Sequence, residues 1–326
     1  MGEPGRRRAE DGDIAVRRAD ERDVPAVLAL AQASLRWRPE EPNEAYFRWK
    51  HFDNPAGPSP MWVATTGDRL VGFRTFLRWR FHVDGELRHA VRAVDTATHP
   101  DFQGRGIFRL LTTGALDELR DEGVDFVFNT PNDQSRPGYL KMGWQVVGRV
   151  PIAMRVTGPV AAAKVLRSRV PAEKWSAPCD VGIPAEEALA DDHDVERLLA
   201  AVAARDGRVG GVATDRTPAH LRWRYRFGPL RYRAVVARGG PAAGVAVFRL
   251  RRRGAALEAA VCEVLAVGDP RPLIAEIARS TGADYLIVAG DAVARARFVR
   301  VPNQGPILTW RGVQPDARCP DLADLG

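Results

Sequence analysis

No run of about 18 apolar residues occurs in the 326-residue chain, so a membrane-spanning helix is excluded. Cysteine is scarce. Cys179, Cys262 and Cys319 are odd in number and far apart, which argues against a disulfide framework or a zinc site and fits a reducing compartment. No histidine pair has metal-ligand spacing, so no metal is expected. The N-terminus, Met1 to Asp13, is polar and Arg-rich without an apolar core; it reads as a disordered leader, not a secretory signal. A cytoplasmic location is expected.

The length suits two domains of ordinary size. A hydrophobic share of 45% and a charged share of 27% are those of a soluble globular protein. The net charge of +7 is carried mostly by arginine interleaved with apolar residues on expected strands. A basic surface attracts any polyanion, nucleic acid or a polyphosphate cofactor alike, so charge alone decides nothing.

In the first half, Ile14 to Arg17 alternates as a short strand does, and Asp20 or Asp23 can cap a helix with Val24, Val27, Leu28, Leu30 and Ala31 on one face. A second helix is expected over Asn43 to His51. Met61 to Thr66 and Leu70 to Val83 read as a hairpin about Thr66-Gly67-Asp68-Arg69, followed by a strand from Leu87 to Thr98 that Pro100 stops. Gln103-Gly104-Arg105-Gly106 then opens a helix with Ile107, Leu110, Leu111, Ala115 and Leu119 at helical spacing. Phe126-Val127-Phe128 has the fully apolar character of a buried parallel strand. Pro131 to Lys141 forms a loop and short helix, and Trp144 to Arg149 and Pro151 to Val156 close the domain as two strands.

A strand running through two glycines into a helix is built to hold an anion. Glycine permits a tight turn and close backbone approach, and the first helical amides point outward unpaired. Arg105 adds a fixed charge. The segment lacks G-x-x-x-x-G-K-[ST], and Arg109 stands where a dinucleotide fingerprint has its third glycine.

His99-Pro100-Asp101-Phe102-Gln103-Gly104-Arg105-Gly106-Ile107 resembles motif A of the GNAT superfamily of N-acetyltransferases, whose pattern Q/R-x-x-G-x-G/A runs here from Gln103. A second block, Asn132, Ser135 and Tyr139-Leu140-Lys141-Met142-Gly143-Trp144, is similar to that family's downstream block. The resemblance covers Ile14 to Val156. It implies an acetyl-CoA (or other acyl-CoA) site held by the backbone of Thr96, Ala97 and Thr98, by Gln103, Gly104, Arg105, Gly106, Ile107 and Phe108, and by Asn132. It implies Tyr139 as the acid that protonates the departing thiolate. Phe108 stands where the family has Gly or Ala, which bears on acyl-chain preference.

A base is also needed, and Asp95 is the nearest carboxylate on the strand leading to the loop; a salt bridge to Arg92 or Arg74 is its alternative role. His99 and His82 are further candidates.

The second half repeats the first. Phe47-Arg48-Trp49-Lys50 is echoed by Leu221-Arg222-Trp223-Arg224, and Val71-Gly72-Phe73 by Ala243-Gly244-Val245 at an offset of 172 (244 − 72). Where the glycine loop would fall stands Val267-Gly268-Asp269-Pro270-Arg271-Pro272, whose prolines cannot present a row of amides. The expected fold class is therefore α/β (α+β): two GNAT-like domains, each a mixed, mostly antiparallel twisted sheet flanked by helices. The expected division is a leader at 1–13, a domain with the cofactor site at 14–156, a linker at 157–190, a degenerate domain at 191–315 and a tail at 316–326.

The expected function is transfer of an acetyl or short acyl group to a primary amine of a small molecule. A longer acyl-CoA or carrier-protein donor, and a non-enzymatic CoA- or nucleic-acid-binding role, are the alternatives. Nucleic acid is the less favoured partner, and a homodimer stays open.

Overall fold

In the computed structural model, residues 13–35, 37–207, 210–290 and 297–324 are described. The expected leader therefore lies, apart from Asp13, outside the described residues. The elements in chain order begin with β1 (Ala15–Arg18), α1 (Val24–Leu35), α2 (Asn43–His51), β2 (Met61–Thr66), β3 (Arg69–Val83) and β4 (Glu86–Thr98). There follow α3 (Ile107–Asp121), β5 (Phe126–Asn129), α4 (Arg136–Lys141) and β6 (Gln145–Arg149).

Local chemistry sets these elements. The Asp20 carboxylate accepts from the Arg22 amide at 2.8 Å while Asp23 accepts from the Asp20 amide at 3.0 Å, a reciprocal cap that starts the turn into α1. The β3–β4 turn places Asp84 at φ 51° and Gly85 at φ 86°, the pair of left-handed angles that matches strand twist in a two-residue hairpin. One face of α3 buries Ile107, Leu111, Ala115 and Leu119. Gly72 on β3 lets that helix lie close, since a Cβ there would come within 2.6 Å of Ile107 Cγ2.

The remaining elements are β7 (Ile152–Val156), α5 (Pro159–Arg167), β8 (Ile183–Pro184), α6 (Ala185–Ala188), α7 (Asp192–Asp206), β9 (Val212–Thr214), α8 (Pro218–Tyr225) and β10 (Arg233–Val236). β11 (Gly244–Arg253), β12 (Ala256–Ala266), α9 (Arg271–Ser280), β13 (Tyr285–Ala289), β14 (Val299–Arg300) and β15 (Ile307–Gly312) complete the order.

Two compact units result. Among the described residues, the first comprises those within 13–80, 88–146 and 308–319, the second those within 81–87, 147–307 and 320–324. The first sheet runs β1-β2-β3-β4-β5-β15-β6 and the second β14-β7-β13-β12-β11-β10-β8. Both are mostly antiparallel and flanked by helices, and each holds a parallel pair: β4 with β5, and β12 with β13. The fold class matches the expectation. No helix of the described residues is long and apolar enough to cross a membrane.

Two features differ from the sequence reading. Residues 152–156 do not close the first sheet: β7 pairs with β13, Tyr285 opposite Val156. The place beside β5 is taken by β15, Thr309 opposite Asn129. Both are short amphipathic strands that either sheet could accept, so local pattern does not assign them. Residues 157–190, read as a linker, belong to the second unit, carry α5, and hydrogen-bond to β11, with Ala177 N donating to Leu250 O at 2.9 Å.

Candidate functional site

The parallel ladder between β4 and β5 consists of Ala90–Phe126, Val91–Val127 and Arg92–Phe128. β4 runs on to Thr98 against β3, where Thr96 Oγ1 donates to Phe73 O at 2.9 Å and His99 N to Val71 O at 2.8 Å. Beyond Arg92 the two parallel strands therefore part, and the backbone of residues 96–98 faces an opening instead of a partner. Asp95 sits at this divergence with a left-handed φ of 37°, a bulge-like break that an aspartate tolerates better than most residues.

The opening is a cavity of about 480 Å³. Thr96, Ala97 and Thr98 line it from the strand, Gln103, Gly104 and Gly106 from the loop, and Ile107, Phe108 and Arg109 from the first turn of α3. Ser34 and Leu35 at the end of α1 form the opposite wall. Phe102, just before the loop, lines it too, and Ser34, Leu35, Phe102 and Arg109 are not in the sequence-derived set. Ser34 is tied to the strand end through Oγ, which donates to Thr98 O at 3.4 Å.

Gly104 and Gly106 take φ values of 78° and 76°, which an L side chain adopts only under strain, and a Cβ at either would meet nothing within 4 Å. The loop is thus a cradle with open space before it. Gly106 begins α3 without any side-chain cap, so the first amides remain available to a ligand. Free amides, the positive helix end and an open strand edge fit a phosphate-bearing group with a peptide-like arm. Arg105 is not among the cavity-lining residues; its guanidinium lies 4.8 Å from the Phe102 ring centroid.

Asn132 lies outside the cavity and is exposed. Its Oδ1 accepts from Ser135 N and Ser135 Oγ, both at 2.9 Å, and this side chain orders the entry to α4. That helix carries Tyr139, which is 3% exposed and packs edge-on against Phe108 at 5.3 Å between centroids. Tyr139 Oη accepts a hydrogen bond from Arg74 Nη2. Phe108 thus stands between the cavity and the Tyr139 ring.

Asp95 is engaged. Its Oδ2 accepts from Lys50 Nζ at 2.6 Å and from His51 Nε2 at 2.9 Å. Burial alone would raise its pKa, but the Lys50 charge and the His51 hydrogen bond outweigh that and hold it well below the usual carboxylate range. A carboxylate so strongly stabilised is a weak proton acceptor. The salt bridge weighed as its alternative role is what forms, with Lys50 as the partner in place of Arg92 or Arg74.

His51 is fully buried, and burial pushes its pKa down despite Asp95. With Nε2–H donated to Asp95, Nδ1 accepts from Ser59 Oγ at 2.9 Å. Of the other candidates, His99 is bound to Arg69, and His82 lies in the second unit against Asp215.

In the second unit the corresponding turn, residues 267–270, leads into α9. There Asp269 Oδ1 accepts from the Arg271 amide at 3.0 Å, and Pro272 lacks an amide hydrogen.

Comparison with known proteins agrees with this geometry. Residues 15–147 match a family model described as an acetyltransferase (GNAT) domain. A mycothiol acetyltransferase of Rhodococcus jostii (strain RHA1) is 32% identical over 146 residues, 42% of this chain and 46% of that protein. One of Rhodococcus opacus (strain B4) is 35% identical over 112 residues, 32% of this chain and 35% of that protein. The match thus spans less than half the length of these relatives.

Among solved structures, a GCN5-related N-acetyltransferase from Kribbella flavida aligns with a TM-score of 0.62 at 15% identity, covering 92% of this chain and 71% of that one. Another from Anabaena variabilis ATCC 29413 gives 0.64 at 13% identity, covering 93% and 73%. These likenesses extend the fold over both units. The open strand edge, the uncapped glycine loop and the family match coincide: across residues 15–147 the chain carries a GNAT acetyltransferase domain.

Proposed function

We propose that the protein is an acetyl-CoA-dependent N-acyltransferase that moves an acetyl or other short acyl group directly to a primary amine of a small molecule. The observation that carries this reading is the cavity framed by the open edge of Thr96–Thr98 and the uncapped start of α3 at Gly106. Acetyl-CoA would supply the activated acyl group as a thioester. The amides after Gly104 and Gly106 would hold its phosphates, and residues 96–98 would pair with its amide-bearing arm. The relatives named mycothiol acetyltransferase support acetyl as the group transferred.

Tyr139 is the proposed acid for the leaving sulfur, because its ring packs edge-on against Phe108, which lines the cavity, and it carries a donatable O–H. Asp95, tied to Lys50 and His51, is assigned to anchoring the break in β4, and the amine proton leaves to water. Asn132 acts through the α4 entry that places Tyr139.

Calorimetric titration with acetyl-CoA tests the reading. Wild type is expected to bind, and Gly104→Glu or Gly106→Glu to lose binding, because a carboxylate then occupies the cradle. Absence of binding by wild type, or equal binding by both variants, refutes it.

A further inference from the structure

Arg74 on β3 has none of its surface exposed. Among the described residues, its Nε and Nη1 nevertheless have no hydrogen-bond partner and no carboxylate pairs with it. Its side chain makes one hydrogen bond among those residues, from Nη2 to Tyr139 Oη. Three rings surround the guanidinium: Phe76 at 5.0 Å, Tyr139 at 5.3 Å and Phe108 at 5.5 Å from their centroids. Ring faces attract a cation. They do not replace a counter-charge, and a buried guanidinium without one is costly to keep.

The second unit shows that the fold does not need it. At the offset of 172 that relates Gly72 to Gly244, the counterpart of Arg74 is Ala246, fully buried in one apolar cluster with Phe248 and Ile274. The aromatic neighbour is kept, Phe76 to Phe248, while the charge is absent. The cation occurs in the unit that has the glycine loop and is missing from the one that lacks it.

We propose that Arg74 is a positioning residue for Tyr139. It occupies a lone pair of the phenolic oxygen, which leaves the O–H free to be donated, and it supplies the positive charge that balances the oxygen once the proton has gone. The inference rests on the reading of Tyr139 as the acid. In the step concerned, the amine nitrogen bonds to the thioester carbonyl carbon and the C–S bond breaks with its electron pair passing to sulfur. Sulfur takes the Tyr139 proton, giving the CoA thiol and a phenolate beside Arg74. The amine proton passes to water, and water returns one to Tyr139. Negative charge thus appears next to the guanidinium only during turnover, which is where a preorganised charge accelerates a reaction.

The test compares wild type, Arg74→Met, Arg74→Lys, Tyr139→Phe and the Arg74→Met/Tyr139→Phe double variant. Thermal midpoints are measured without ligand. Thiol release from acetyl-CoA is followed with hydroxylamine, a small nucleophile that requires no acceptor pocket. Arg74→Met is expected to melt no lower than wild type, to lose on the order of a hundredfold in kcat, and to keep its KM for acetyl-CoA. Arg74→Lys, which keeps the charge, falls between them. The double variant is expected to be no slower than Tyr139→Phe, because Arg74 then has nothing to act on.

Full additivity of the two losses would show Arg74 acting independently of Tyr139 and overturn the inference. So would a lowered midpoint with unchanged kcat, which marks a structural residue. A loss seen with succinyl-CoA but not acetyl-CoA would make Arg74 a site for an acyl carboxylate and overturn it equally. Tyr139→Phe turning over at the wild-type rate removes the acid itself, a failure of the underlying reading that the single variant reveals alone.

Discussion

At the head of α3, Gly104 and Gly106 hold left-handed angles and no side chain caps the helix. At the head of α9, the Asp269 carboxylate takes the Arg271 amide and Pro272 has none to offer. The hairpin before and the parallel strand after are alike in both units, β3–β4 with β5 and β11–β12 with β13. What separates an open helix start from a closed one is therefore a handful of residues that decide where a few N–H groups go. The sheet is indifferent to the outcome, because its stability comes from apolar faces on strands and helices, not from the turn.

The difference at positions 74 and 246 is the sharpest place to break this comparison. Ala246→Arg should cost the second unit about 4 kcal/mol, because the new charge is buried among Phe248, Leu250 and Ile277 without a partner. Urea unfolding would read it, and a tolerated arginine would mean that the two interiors are less distinct than their residues suggest.

Next in size is a mirrored pair. Gly106→Glu should weaken acetyl-CoA binding by about a hundredfold or more, roughly 2.8 kcal/mol, whereas Gly268→Glu should leave it unchanged. A Cβ at Gly268 meets nothing within 4 Å, so that substitution is sterically free as well. Comparable losses in the two titrations would place a second ligand on α9.

The smallest effect concerns pH. His51 at the end of α2 meets Asp95, while Tyr225 at the end of α8 meets Glu263 through its hydroxyl at 3.2 Å. Burial keeps His51 neutral in the folded protein below its ordinary value of 6.5. The unfolded chain then binds the extra proton, so stability falls as pH drops below about 6.5. Asp95, held low when folded, adds a further loss below about pH 4, as the unfolded chain protonates first. Tyr225 is pushed well above its ordinary value by burial and titrates in neither window. Melts across pH 4–8 should thus move the first unit, His51→Gln should flatten its response, and an unchanged slope in that variant would dismiss the role of His51.

Much of this is legible in the sequence wherever the cause is local. Gly104 and Gly106 after a strand, the apolar stripe Ile107, Leu111, Ala115 and Leu119, and the unbroken Phe126-Val127-Phe128 each state their structure within a few residues. Asp95 is readable as a residue needing a partner, but not which one, because Lys50 and His51 arrive from a helix 45 and 44 residues earlier. Arg74 looks like any strand arginine in an Arg-rich chain; only the rings of Phe76, Phe108 and Tyr139 closing over it make it unusual. The exchange of β7 and β15 is the least readable feature, since a short strand carries no mark of which edge it will join.

That exchange has a consequence for the order of synthesis. The strand that flanks β5 in the first sheet is made only after β14, the last described strand of the second, and Thr309 reaches Asn129 across 180 residues of chain. On the ribosome, the first sheet must wait, with one side of β5 lacking β15, while residues 147–306, most of the second unit, are translated. A chain halted after residue 306 would leave that side exposed. Translation through β15 thus becomes a condition for completing the first sheet.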